Sequence, residues 1–199
     1  MDLEKHINEY NEFLKIISQR KGVIELSAYL EKHGFFKAPA STKYHLCYEG
    51  GLLIHSLNVT KLALKLKDIL LPDMEKQSII LCGLFHDAHK VTDGFGNITY
   101  IKNEGNDKDK QPYLWNKEQM NFSGAQKSLL IISKFIDLTQ DEMQAIAYHD
   151  GPFVPSWEDI KNDPYPLTLL LHFSDMWSCW ITEKSKDKNS FTKKFIQDM

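Results

Sequence analysis

At 199 residues, with 42% hydrophobic, 12% aromatic and 26% charged side chains, the chain has the composition of an ordinary globular protein and the length to bury one core. Its formal net charge of -3 gives no polyanion-binding signature, which disfavours a long nucleic-acid ligand but not a small phosphorylated one. Cys47, Cys82 and Cys179 are odd in number, widely spaced and in no Cys-x-x-Cys pair, so neither a disulfide framework nor a zinc ribbon is expected.

The start, Met1-Asp2-Leu3-Glu4-Lys5-His6, has no apolar signal core, and no run approaches the roughly 20 apolar residues of a membrane span. No Pro-, Gly- or Ser-rich linker divides the chain. A soluble cytoplasmic protein of one domain over 1–199 is the expectation, with no membrane partner and a homo-oligomer left open.

Leu3, Ile7, Tyr10, Phe13, Leu14 and Ile17 recur at the three-and-four spacing of an amphipathic helix. Gly22 separates it from a second, striped by Val23, Leu26, Tyr29 and Leu30, with Gly34 as its stop. A loop through Pro39 leads to a long helical pattern from Leu52 to about Leu70, closed by Pro72. On it Leu52, His55, Val59, Leu62 and Leu66 share one face, which puts a histidine inside an apolar stripe.

Asp73 is the expected cap of the next helix, whose interior Ile79-Ile80-Leu81-Cys82-Gly83-Leu84-Phe85 runs into His86-Asp87-Ala88-His89-Lys90. Ionisable groups thus arrive where the preceding residues demand burial, and burying them is costly without partners. Gly94, Gly96 and Asn97 precede a short strand over 98–101. The polar stretch 103–111 and Tyr113-Leu114-Trp115 complete a small hairpin, readable as a lid or as a surface excursion.

Helical spacing resumes over 123–136. Thr139-Gln140-Asp141-Glu142 has the form of a capping box for a helix that ends near His149-Asp150-Gly151-Pro152. The almost wholly apolar segment from Leu167 to Trp177 is the expected central buried helix, and Asp175 within it demands a cation or a set of donors. From Thr182 onward the chain is rich in charge and reads as a solvated helix or loose end.

His55, His86-Asp87, His149 and Asp175 are anomalies of one kind, and a shared cause is simpler than five separate ones. Imidazole with carboxylate suits Mn, Fe, Co, Ni, Zn or Mg without selecting among them. Core polar groups satisfied by hydrogen bonds are the plainer alternative.

In the order His55, His86-Asp87, Asp175 the chain resembles the HD-domain metal-dependent phosphohydrolase superfamily. The segments around Gly50-Gly51-Leu52-Leu53-Ile54-His55, His149-Asp150-Gly151-Pro152 and His172-Phe173-Ser174-Asp175 are similar to small phage-type HD proteins and to the HD domain of a bacterial 3'-5' exoribonuclease family. The resemblance implies an all-α, HD-type helical bundle with a small β-hairpin excursion. It divides the chain into N-terminal helices over 1–43, a metal-binding core over 44–180 and a charged tail over 181–199.

By the same resemblance His55, His86, Asp87 and Asp175 ligate a divalent metal ion, and Asp87 bridges to a second ion held by His149. Relatives carry a further histidine where this chain has Gly124, and Asp150 is an oxygen donor that could compensate. Lys90 faces a phosphate or is a surface lysine just past the helix, and His89 is read as a polar neighbour. The implied activity is hydrolysis of a phosphoester in a nucleotide or short oligonucleotide end, with Asp87, Lys90, His149 and Asp150 as catalytic candidates. The alternative is an HD-fold protein that has lost catalysis and binds a nucleotide or a protein.

Overall fold

The computed structural model describes residues 3–183. Seven α-helices account for most of them: α1 (Leu3–Ile17), α2 (Val23–Lys32), α3 (Gly51–Leu70), α4 (Lys76–Phe85), α5 (Gly124–Ser133), α6 (Gln140–Ala147) and α7 (Pro166–Trp177). Strands β1 (Tyr100–Lys102) and β2 (Tyr113–Trp115) form an antiparallel hairpin in the register Tyr100–Trp115, Ile101–Leu114, Lys102–Tyr113. The fold is an all-α bundle with one small hairpin, as the resemblance implies and as the helical spacing of the separate segments allows. Among the described residues no helix is long and apolar enough to cross a membrane.

The bundle is organised around α4 rather than α7. Every α4 residue from Ile79 to Phe85 is buried, and each large side chain so placed contributes roughly 1.5–3 kcal/mol. Helix α7 does not match its expectation as the central helix: Phe173 and Trp177 are half-exposed, so the helix buries one face and offers aromatic rings on the other. Hydropathy alone could not separate these cases, because α7 is apolar on both faces.

Helix α3 crosses α4 closely at Gly83. A Cβ there would stand 2.5 Å from Thr60 Oγ1 and 2.9 Å from its Cα, so only glycine lets the two backbones approach. That approach brings His55 of α3 beside His86, the residue that ends α4.

Local signals explain most boundaries. Ser123 and Thr139 both form complete capping boxes, with Gln126 and Glu142 respectively. Gly34 adopts φ 101 just past α2, the left-handed turn expected of a helix stop. Asp73 is not the cap of α4: Glu75 occupies that position, with no side-chain hydrogen bond. Arg20, between α1 and α2, reaches the buried Glu142 of α6 with both guanidinium nitrogens, Nη2 at 3.1 Å from Oε2, and ties the N-terminal helices to the bundle.

Past Trp177 the chain continues in a widened π-helical turn, Ser178–Thr182, closed by Glu183 N–H donating to Ser178 C=O at 2.9 Å. Such turns re-aim the side chains that follow them. Here the change of pitch returns Glu183 toward α3. The charged-tail reading therefore fails at Glu183, whose carboxylate is buried against His55; the remainder of that tail, 184–199, lies outside the described residues.

Candidate metal centre

Four separated segments meet at one point. His55 comes from the second turn of α3, His86 and Asp87 from the end of α4, His149 from just past α6, and Asp175 from α7. Asp87 is the hub. Its Oδ2 lies 3.3 Å from His55 Nε2, 3.4 Å from His86 Nε2 and 2.6 Å from Lys90 Nζ, and its Oδ1 lies 3.8 Å from His149 Nε2. Asp175 Oδ1 stands 3.2 Å from His55 Nε2.

All three imidazoles turn the same nitrogen inward because the other is held from behind. His55 Nδ1–H donates to Glu183 at 3.1 Å, His86 Nδ1–H to Gly83 C=O at 3.0 Å, and His149 Nδ1–H to Ile146 C=O at 2.8 Å. Fixing Nδ1 as the protonated nitrogen leaves Nε2 as a free lone pair facing the centre. His55 Nε2 and His86 Nε2 are fully buried and make no hydrogen bond among the described residues. Two orphaned nitrogens in a dry core would each cost the desolvation of a polar group unless a ligand meets them.

The charge balance points the same way. With its imidazoles neutral, as ligation requires, the site sets the three carboxylates of Asp87, Asp175 and Glu183 against the one ammonium of Lys90, leaving two negative charges in a buried space; without a cation the same anions draw a proton onto His55. Burial by itself would push the Asp87 carboxyl up, but Lys90 and then His86 outweigh it and hold the group well below the usual range. Asp175 is likewise held down against its burial, chiefly by His55. His55, which burial alone would discharge, is raised well above its ordinary value by Glu183 and the neighbouring anions. These residues fit a divalent cation, and two overlapping sets lie within reach of one: His55, His86 and Asp175, and His86, Asp87 and His149.

Lys90 is not the surface lysine that its position past the helix allows. Its side chain is mostly buried, and the Asp87 carboxylate raises its ammonium above the normal range despite the burial. It also lines a cavity of about 330 Å³ with Lys37, Lys102, Tyr100 and Tyr113. Asp150 stands apart from the cluster. Its side chain is 46% exposed and reaches only to 3.9 Å from His149 Nε2.

His89, read as a mere polar neighbour, is buried at the edge of the site, and burial holds its pKa down to about 3. Its ring stacks with Trp115 at 6.4 Å between centroids and 7° between planes, and its Nδ1 lies 3.0 Å from Ser128 Oγ. This ring accounts for Gly124. A Cβ at position 124 would stand 2.6 Å from His89 Nε2, so the glycine leaves room for the imidazole. His89 Nδ1 is 3.7 Å from Asp87 Oδ1, which puts an imidazole between Gly124 and that carboxylate.

The hairpin meets the site through its strands. Trp115 packs on His89, and Tyr100 packs on Trp115 at 4.9 Å and lies within the field of Lys90 and Asp87. Residues 104–110 are exposed, and Asn103 folds back to donate to Asp107 and to Gln111 C=O. The polar tip, readable as a lid or as a surface excursion, is tied to itself.

Glu183 is the site residue that sequence reasoning misses. Its Oε1 also accepts from Asn58 Nδ2 at 3.1 Å, and His45 Nε2 lies 3.6 Å from Oε2. With Cys179, whose Sγ donates to Asp175 Oδ1 at 3.3 Å, these residues form a layer behind the candidate ligands. A glutamate in a lysine-rich tail carries no signal of burial, and no local pattern could have singled it out.

No family model and no solved structure matches the chain. Among curated proteins, the chain is similar to dihydroneopterin 2',3'-cyclic phosphate phosphodiesterase of Methanocaldococcus jannaschii, with 43% identity over 58 residues. The match covers 27% of this chain and 23% of that protein.

Proposed function

We propose that the chain is a metal-dependent phosphoester hydrolase of the HD type. The observation that carries this reading is the pair of buried, unpartnered Nε2 atoms of His55 and His86, both facing the Asp87 and Asp175 carboxylates. Core histidines kept only for packing would have found protein partners.

In this reading His55, His86, Asp87 and Asp175 hold the first divalent cation, and Asp87 with His149 faces a second. When bound, the cation supplies Lewis acidity toward a phosphoryl oxygen and a lowered pKa for water. The residues around it do the rest. Lys90 keeps Asp87 ionised and would place a fixed positive charge beside the phosphoryl group, on a side chain that is itself mostly buried. With the second position empty, His149, whose pKa is raised against its burial first by Asp150 and then by Asp87, is placed to hold a proton at Nε2 for a departing oxygen; with a cation there, the same nitrogen is a ligand instead. Asp150, on the rim, is placed to orient the attacking water.

The partial relative is named for a 2',3'-cyclic phosphate, so cyclic phosphodiesters are the first compounds to assay here. A small phosphorylated molecule ranks ahead of an oligonucleotide end, because a net charge of -3 gives little attraction for a polyanion. The binding-only alternative draws on Gly124, and the packing of His89 gives that glycine a steric reason instead. The test is elemental analysis of purified protein followed by phosphate and phosphodiester assays with Mn²⁺, Co²⁺, Ni²⁺ and Mg²⁺. At least one metal per chain and turnover abolished by Asp175→Asn is the expected result. Metal held without turnover on any phosphoester would favour the binding protein.

A further inference from the structure

At the Nδ1 edge of His55, behind the face it turns to Asp87, a further set of metal-ligating atoms converges from two distant segments. His45 comes from the loop before α3, Cys179 from the π-helical turn after α7, and Glu183 from the cap of that turn. His45 Nε2 stands 3.4 Å from Cys179 Sγ and 3.6 Å from Glu183 Oε2. One ligand atom from each of the three, together with His55, lies within 4.8 Å of the others.

The spacing matches a coordination shell. A tetrahedral zinc ion, with Zn–N of about 2.0 Å and Zn–S of about 2.3 Å, sets its nitrogen ligand roughly 3.3–3.6 Å from its sulfur and oxygen ligands. Both His45 distances fall there, and the one to the carboxylate is too long for a hydrogen bond. His55 Nδ1–H leans on both Glu183 oxygens, at 3.1 and 3.2 Å, and Asn58 Nδ2 donates to Oε1 at 3.1 Å. Those two donors orient the carboxylate, and Oε2 is the oxygen turned to His45. His55 therefore stays a ligand of the Asp87 centre alone.

Local structure builds this shell. Cys179 and Glu183 are four positions apart, the spacing that puts two side chains on one helical face and that recurs in helix-borne metal sites. On the other side, Ser41 Oγ accepts from the N–H groups of Tyr44 and His45 at 3.0 and 2.9 Å and donates to His45 C=O at 2.6 Å, which closes the loop on itself. Leu46, next to His45, has φ 41 and is the one non-glycine residue with positive φ among those described. Backbone strain of that kind persists where the surroundings impose it and clusters at functional positions. Cys179 also lines a cavity of about 150 Å³ with Asp175 and Trp180, which gives an ion a way in.

We propose that His45 Nε2, Cys179 Sγ and Glu183 Oε2 form a further cation site, separate from the Asp87 centre and suited to Zn²⁺. Imidazole and carboxylate alone select no metal, but a thiolate favours zinc over magnesium or manganese. Ligation takes the proton that Sγ now donates to Asp175 Oδ1, 3.3 Å away, and releases it to solvent. Thiolate and carboxylate then balance the two charges of the ion. The ion clamps the loop before α3 to the turn after α7 and holds Glu183 against His55, so its part is positional. The site stands whether or not the Asp87 centre hydrolyses a phosphoester.

Cobalt(II) reports such a site directly, because a thiolate–Co²⁺ bond absorbs by charge transfer in the near ultraviolet and the Asp87 centre contains no sulfur. Metal-free wild type, Cys179→Ser, His45→Ala and His86→Asn would each be titrated with Co²⁺. The wild type should develop the band, and Zn²⁺ should displace it. His86→Asn, which removes a ligand of the other centre, should keep the band. Cys179→Ser should abolish it with circular dichroism still helical. His45→Ala should raise the Co²⁺ concentration at half-saturation by about tenfold or more, since loss of even an outer-shell partner generally does so. Absence of the band in wild type would overturn the proposal. So would a band that survives Cys179→Ser, that His45→Ala leaves unmoved, or that vanishes in His86→Asn. Phosphoester turnover is read separately on each protein, so failure of this site is distinguishable from failure of the hydrolase reading.

Discussion

Glu183 sets a carboxylate 3.1 Å from Nδ1 of His55, joining the last described turn of the chain to the first candidate ligand across 128 positions of sequence. The contact fixes the ring's tautomer and raises the basicity of Nε2, as carboxylate–histidine pairs behind metal ions do. Removing such a partner generally lowers metal affinity by about 10–100-fold. Glu183→Ala should fall in that range by chelator competition. Glu183→Gln, whose amide oxygen can still accept from Nδ1–H, should lose less. Wild-type affinity in both variants would remove Glu183 from the site.

Asp87 and Lys90 form a mostly buried ion pair at 2.6 Å, and breaking one partner strands the other. Such losses cost about 3–5 kcal/mol. Asp87→Ala should abolish phosphoester turnover and lower the stability of metal-free protein by that order, while its far-ultraviolet circular dichroism stays helical. Adding Lys90→Met should recover part of the stability and none of the activity. A double variant no more stable than Asp87→Ala alone would mean that the pair is not coupled as the geometry indicates.

His89 and Gly124 are sterically matched, since a methyl at 124 would stand 2.6 Å from the imidazole. Gly124→Ala should destabilise the protein by about 1–3 kcal/mol through overpacking, although alanine favours the helix. In a His89→Ala background the same change should be neutral or stabilising. Urea denaturation of the four proteins gives the coupling directly, and additive effects would contradict the contact.

Glu142 is buried and its pKa lies below the ordinary 4.5. Burial raises it, but the Arg20 guanidinium and the Thr139 N–H outweigh that. The sign follows from the direction of the shift. A carboxyl whose folded pKa is depressed contributes stability that is present above pH 4.5 and lost as pH falls through its folded value. Glu142→Gln should therefore be less stable than wild type at pH 7, with the gap narrowing below about pH 4.5. Thermal unfolding across pH 3–7 measures it, and a gap that widens on acidification would refute the assignment.

The helices were legible because each carries its own information. Apolar spacing marks α1 to α3, capping boxes mark α5 and α6, and a run of buried residues marks α4. The candidate centre was legible at His55, His86, Asp87, His149 and Asp175 for a related reason: an ionisable group in an apolar setting is anomalous within its own helix. Lys90 and Asp150 were visible as candidates, but their environments were not. One is sealed against Asp87 and the other stands on the rim, a difference that depends on which elements close over them.

Glu183 and His89 lay beyond sequence because their roles depend on partners far along the chain. Glu183 reads as one more charge in a polar tail until the π-helical turn after α7 swings it onto His55. Gly124 reads as a missing ligand until His89 is seen to fill its space. By itself the sequence determined the helices and the five anomalous residues, since periodicity and misplaced charge are local properties. The tertiary structure alone decided which imidazole nitrogens face inward, which charges are buried together and what surrounds the opening, because those depend on packing between elements that share no local pattern.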